Sequence, residues 1–202
     1  MPFLPYAPNL SRQTSNIRSR GHELLVHMPM EPTGNENPGP RALTTQLNDA
    51  ELLETLEWNL TRFEGFVGIN NHMGSRFTAD GRRMEIIMKS LKERGLLFLD
   101  SVTTNSSKGP ALARSYDIPW AGRDIFIDNE VDERAILNQL RKVEQVAGDK
   151  GIAIAIGHPH SATYRALKAW IPTLKGKGLV LVPLSSVVRT NEPLKLVGGS
   201  RD

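Results

Sequence analysis

Unbroken apolar runs alternate along the chain with stretches whose apolar positions recur every three or four residues. The first pattern predicts strands and the second amphipathic helices. Phe3-Leu4 reads as a short strand, Asn9–Arg20 as a helix stopped by Gly21, and His22–His27 as the next buried strand. Pro29–Thr45 follows as seventeen irregular residues, a length usual for functional lids and rims. Asn48 and Glu51 have capping-box spacing and open a helix striped by Leu52, Leu53, Leu56, Leu60 and Phe63. Phe66–Ile69 is a strand running out into Asn70-Asn71-His72-Met73-Gly74-Ser75. A helix over about Asp80–Arg94 turns Met84, Ile87, Met88 and Leu91 inward and stops at Gly95. Leu96–Leu99 is a strand ending in Asp100-Ser101, and Pro110–Tyr116 a short helix.

In the last third, Ile118–Trp120 and Arg123–Asn129 precede a helix over Asp132–Ala147 with Ile136, Leu140, Val143 and Ala147 on one side. Gly151–Ile156, without a polar break, predicts a strand buried on both faces. It runs into Gly157-His158-Pro159-His160, after which Ser161 caps a helix reaching Leu174, with Tyr164, Leu167, Ile171 and Leu174 as its buried stripe. Leu179–Val182 is the last strand, followed by Pro183-Leu184-Ser185-Ser186. One domain over 3–190 and a frayed tail over 191–202 are expected. Strand and helix in alternation predict a parallel sheet, open or rolled into a barrel. The barrel is favoured because polar residues follow several different strands, and a barrel gathers those ends on one rim.

Bulk properties narrow the chemistry. At 202 residues the chain suits one α/β domain, and a net charge of +3 from interspersed Lys and Arg indicates no nucleic-acid partner despite a pI near 9.3. With no Cys there is no disulfide, thiolate zinc site or Cys nucleophile. Any metal must be held by His, Asp or Glu, and the imidazoles on offer are His22, His27, His72, His158 and His160. No stretch is long enough for a membrane span and no signal peptide is visible. There is no phosphate-binding glycine loop and no Gly-x-Ser-x-Gly elbow.

His27, His72 and the His158/His160 pair stand at three separate strand ends, and imidazoles with one carboxylate suit a catalytic zinc with an open position. His22, at a strand start, reads as structural. Asp100 is either a catalytic acid or an acid that accepts turn hydrogen bonds. Arg123-Asp124 either orients a catalytic group or is an ordinary ion pair.

Gly21-His22-Glu23-Leu24-Leu25-Val26-His27, Gly68-Ile69-Asn70-Asn71-His72-Met73-Gly74-Ser75, Phe98-Leu99-Asp100-Ser101 and Ala155-Ile156-Gly157-His158-Pro159-His160 together resemble the divergent polysaccharide deacetylases. That family is a distant branch of the NodB-like carbohydrate deacetylases, and the resemblance covers nearly the whole chain. It implies a deformed (β/α) barrel, a divalent metal, usually zinc, near the strand C-termini, and hydrolysis of acetamide groups on an N-acetylated aminosugar glycan such as peptidoglycan. By resemblance the address is periplasmic or envelope-associated. His27 matches the first His of the superfamily's metal pair, while Glu31, followed by Pro32, replaces the second. Glu31 as an oxygen ligand, or His72, then completes the metal set, with His72 preferred. His158 resembles the general acid to the leaving amine, and Asp100 is the second candidate catalytic residue. Asn70, Asn71, Ser101, Arg123, Asp124 and His160 are candidate substrate contacts.

Members of the superfamily open with a strand ending in Asp-Asp, whereas no Asp precedes Asp49 here. The barrel is thus expected to lack its first strand, leaving an unpaired edge, and the given start to lie inside a longer gene product. The rival reading is a catalytically inactive carbohydrate or cell-envelope binding module on the same barrel. A metal phosphoesterase is disfavoured by too few carboxylates for two adjacent metals.

Overall fold

Parallel strands joined by helical crossovers build the chain, as the alternation of patterns requires. The structure, a computed structural model, describes residues 1–188, which divide into two units, one of residues 1–121 with Val188 and one of residues 122–187. The end of the 3–190 domain and the tail over 191–202 fall outside the described residues. In the first unit β1 (Pro2–Phe3), β2 (Leu24–Met30), β3 (Phe66–Met73), β4 (Leu97–Asp100) and β5 (Trp120–Gly122) form one sheet in chain order. Helices α1 (Leu10–Ser19), α2 (Asp49–Leu60), α3 (Gly81–Arg94) and α4 (Gly109–Ser115) connect them. The mixed α/β class with parallel pairing is the one expected.

Local chemistry accounts for the boundaries. Asn48 Oδ1 accepts from Glu51 N and Glu51 Oε2 accepts from Asn48 N, completing the capping box of α2. Asp80 caps α3, and Gly95 stops it at φ 64. Met84, Ile87, Met88 and Leu91 are fully buried, but Leu53 is 45% exposed, so the α2 stripe is Leu52, Leu56 and Leu60. Strand β2 runs three residues past His27 and includes Pro29. That proline is tolerated because its carbonyl accepts from Leu43 N on the side away from β3, so its missing N–H costs the β2/β3 ladder nothing. Strand β3 likewise continues through Asn70, Asn71 and His72 instead of ending at Ile69. The side chains can stay in the sheet because Asn70 Nδ2 donates to Leu99 O and Ser101 Oγ, and Asn71 Oδ1 accepts from Ser101 N.

The second unit carries β6 (Ile125–Phe126) and β7 (Ala155–Ile156) as a two-stranded parallel sheet, with α5 (Glu133–Lys150) and α6 (Ser161–Trp170). Ile127, Ile136, Leu140, Val143, Ala166 and Trp170 are central to its core. Three expectations are corrected here. Of Gly151–Ile156 only two residues join a ladder, and Ala155 is exposed, because β7 has one strand neighbour and not two. Leu179–Val182 forms no strand; Val180, Leu181 and Val182 are 78%, 59% and 50% exposed. Helix α6 buries Ala162, Thr163, Ala166 and Trp170, leaving Tyr164 and Ile171 exposed. Its small residues permit close packing on α5, and Trp170 Nε1 donates to Glu144 of α5 at 2.6 Å. No helix among the described residues is long and apolar enough to cross a membrane.

Candidate functional site

In parallel strands, residues in register point to one face, as do residues two apart on one strand. His27 of β2 is in register with Asn70 of β3, so His27, Asn70 and His72 share a face. The two imidazoles meet there, with His72 Nδ1 3.1 Å from His27 Nε2 and the rings edge to face at 4.8 Å. Both residues are half-buried. The chain leaves β3 through Met73 at φ 53 and Gly74 at φ 87. Met73 O accepts from Asn71 Nδ2 and Thr103 Oγ1, which holds this strained exit in place.

Behind the imidazoles a polar network ties β3 to the end of β4. Asn70 Nδ2 donates to Leu99 O at 3.0 Å and to Ser101 Oγ at 2.6 Å. Ser101 N donates to Asn71 Oδ1, and Ser101 Oγ to Asn71 O, each at 2.7 Å. Asn70 Oδ1 is buried and has no hydrogen-bond partner among the described residues. Asp100 is buried, and its two carboxylate oxygens accept from Val102 N and Ser107 Oγ, each at 2.7 Å. Glu31 is held by the loop: its Oε2 accepts from Thr45 N and Oγ1, and its Oε1 lies 3.4 Å from Arg76 Nε. With Asn35, Glu36, Gln46 and Arg76 it lines an open groove of about 480 Å³.

The second unit carries its own constellation. Extending the β6/β7 register by two residues sets Asp128 opposite His158. Asp128 is buried; its Oδ2 accepts from His158 N and from Thr163 Oγ1, and its Oδ1 lies 3.2 Å from His158 Nδ1. His158 and His160 are exposed, with ring centroids 5.9 Å apart. One ligand atom from each of Asp128, His158 and His160 lies within 4.8 Å of the other two, a set that could hold a metal ion. The Arg123 guanidinium lies over the Phe126 ring at 5.5 Å. Asp124 accepts from Lys150 Nζ and from Ile154 N, which ties the start of β6 to the chain entering β7.

Sequence reasoning named His27 and His72 together, and the structure pairs them. It named His158 and His160 but gave no role to Asp128 or Thr163, the groups on which His158 rests. The available signal was positional: Asp128 follows Ile125-Phe126-Ile127 as His158 follows Ala155-Ile156-Gly157, and a parallel register makes such positions neighbours.

Comparison with known proteins bears on the family and the fold. A sequence model described as divergent polysaccharide deacetylase matches residues 1–188. The uncharacterized protein YibQ of Escherichia coli K12 is 32% identical over 190 residues, 94% of this chain and 59% of YibQ. An uncharacterized protein of Haemophilus influenzae Rd is 31% identical over 172 residues, 85% of this chain and 61% of its own length. The chain therefore spans about three fifths of the length of these curated relatives. The crystal structure of uncharacterized protein ATU2773 from Agrobacterium tumefaciens C58 superposes with a TM-score of 0.90 at 30% identity, over 93% of this chain and 77% of that one. The family match runs over every described residue, and the chain belongs to the divergent polysaccharide deacetylase family.

Proposed function

We propose that this chain is a metal-dependent amide hydrolase that removes acetyl groups from N-acetylated aminosugars of an envelope glycan such as peptidoglycan. The observation that carries the reading is the 3.1 Å approach of His72 Nδ1 to His27 Nε2. Two ligand atoms at about 2.0–2.1 Å from one tetrahedral cation lie about 3.3 Å apart, so the pair has the spacing of a chelate edge. The buried, unpartnered Asn70 Oδ1 belongs to the same sheet face and supports the fit, since a buried acceptor without a partner is costly unless water or a ligand serves it. His27 and His72 would hold the cation, with zinc the natural candidate for imidazole donors. When bound, such an ion supplies Lewis acidity toward an amide carbonyl.

The chain's own groups do the rest. The Asn70–Asn71–Ser101 network keeps β3 and the β4 end rigid beneath the imidazoles. In the second unit Asp128 fixes the Nδ1 side of His158, which leaves Nε2 to carry a proton to a departing amine. Polar side chains at Asp100, Ser101, Arg123, Asp124 and His160 are the proposed substrate contacts or their supports, and the periplasm or envelope is the proposed address. A second reading, a glycan-binding module without turnover, is favoured by one fact. Glu31, at the position of a second metal imidazole, has its carboxylate on Thr45 and Arg76.

Zinc content and acetate release from chitin oligomers and peptidoglycan fragments decide between them. The hydrolase reading expects co-purifying zinc, acetate release, and loss of that zinc in His72→Ala. His158→Ala should retain zinc at the His27/His72 pair and lose about 10²–10⁴-fold in turnover. Glycan binding without acetate release selects the module, and full zinc occupancy in His72→Ala removes His72 from the site.

A further inference from the structure

The second unit holds one donor more than proton transfer requires. A histidine oriented by a carboxylate needs only Asp128 and His158, yet the His160 imidazole joins them, with one ligand atom from each of the three within 4.8 Å of the others. We propose that Asp128, His158 and His160 form a binding site for a first-row divalent cation of the zinc class, built wholly within this unit. Two imidazoles and one carboxylate are a donor set that such ions favour, with positions left open for water.

The geometry supports chelation at each residue. Asp128 Oδ1 and His158 Nδ1, 3.2 Å apart, have the spacing of neighbouring ligand atoms, so a cation can take the place of the proton they share. Asp128 Oδ2 is committed to His158 N and Thr163 Oγ1, which fixes the carboxylate and leaves Oδ1 as the ligand. His160 N donates to His158 O at 2.8 Å, folding the turn so that its ring comes within 5.9 Å of the His158 ring. Phe126 packs edge-on against His158 at 5.3 Å and limits its rotation. Gly157 is required for this approach, because a Cβ there would lie 2.7 Å from Ile127 Cγ1 and 3.2 Å from Asp128 Oδ2. The two imidazoles are exposed while the carboxylate beneath them is buried, so a cation from solvent meets nitrogen donors first and the anion last.

The test is a zinc titration of the full chain followed in the long-range proton–nitrogen spectra of its imidazoles. The site requires the His158 and His160 ring nitrogens to shift together along one saturation curve. His160→Gln should weaken zinc at His158 at least tenfold, as should Asp128→Asn. His160 is exposed, so its variant keeps the test sound even if loss of the buried Asp128 carboxylate unfolds the unit. Rings of His158 and His160 that do not respond, or unchanged zinc affinity at His158 in His160→Gln, overturn the proposal. A response confined to His27 and His72 rejects this site while leaving the first unit's metal reading in place. A response confined to His158 and His160 upholds this site and removes that reading.

Discussion

Asn70 shows how much of the candidate site depends on side chains that do no chemistry. Its amide is fully buried, and both hydrogen bonds of Nδ2 cross to the β4 segment. Asn70→Ala removes a buried donor from Leu99 O and Ser101 Oγ, so a loss of about 1–3 kcal/mol in chemical denaturation is expected. The same variant should loosen the β3 face shared by His27 and His72 and weaken any zinc held there. At this scale the sequence offered candidate side chains and was a poor guide to what they touch. The imidazoles were visible as strand-end candidates. Asp100 accepting from Val102 N, two residues on, is the turn alternative that the sequence offered, whereas its bond from Ser107 and those of Glu31 with Thr45 and Arg76 depend on loop paths that no spacing encodes.

At the scale of elements, the caps of α2 and α3 and the buried stripe of α3 were legible, whereas the Ser161 cap, the stripe of α6 and the strand ends were not. The Asn48/Glu51 box, Asp80 and Gly95 act within a few residues of themselves, so local sequence suffices to find them. Strand β3 outran its expected end because Asn70 Nδ2 and Asn71 Oδ1 find partners on the β4 segment, a condition set by a strand about thirty residues away. Two glycines bring out the contrast. A Cβ at Gly68 would fall 2.2 Å from the Leu97 carbonyl oxygen, whereas one at Gly95, where φ is 64, would meet nothing within 4 Å. Gly95→Ala should cost about 1–2 kcal/mol of left-handed strain, and Gly95→Asn should recover part of it. Gly68→Ala should cost at least as much by forcing β3 from β4, with no recovery by Asn. Thermal unfolding of the three variants checks both expectations.

For the molecule as a whole, the described residues build two cores, one around Phe98, Met84 and Ile87 and one around Ile136, Leu140 and Trp170. Truncation inside either should be severe: about 3–5 kcal/mol for Phe98→Ala and about 2–5 kcal/mol for Leu140→Ala. Hydrogen exchange on each variant locates the damage. Leu140→Ala should speed exchange in α5 and α6, and Phe98→Ala in β3, β4 and α3. Equal acceleration throughout both units in both variants would show that the cores unfold as one.

The sequence by itself determined the α/β class, the parallel alternation, the caps of α2 and α3 and the inventory of imidazoles, because each follows from hydrophobic period or from chemistry within a turn. Tertiary structure alone decided the pairings. His27 faces His72 because β2 and β3 align in one particular register, and Asp128 supports His158 because β6 and β7 do the same. A register is a property of two segments at once. It follows from how their side chains pack and which buried amides find partners, so no reading of either segment alone contains it.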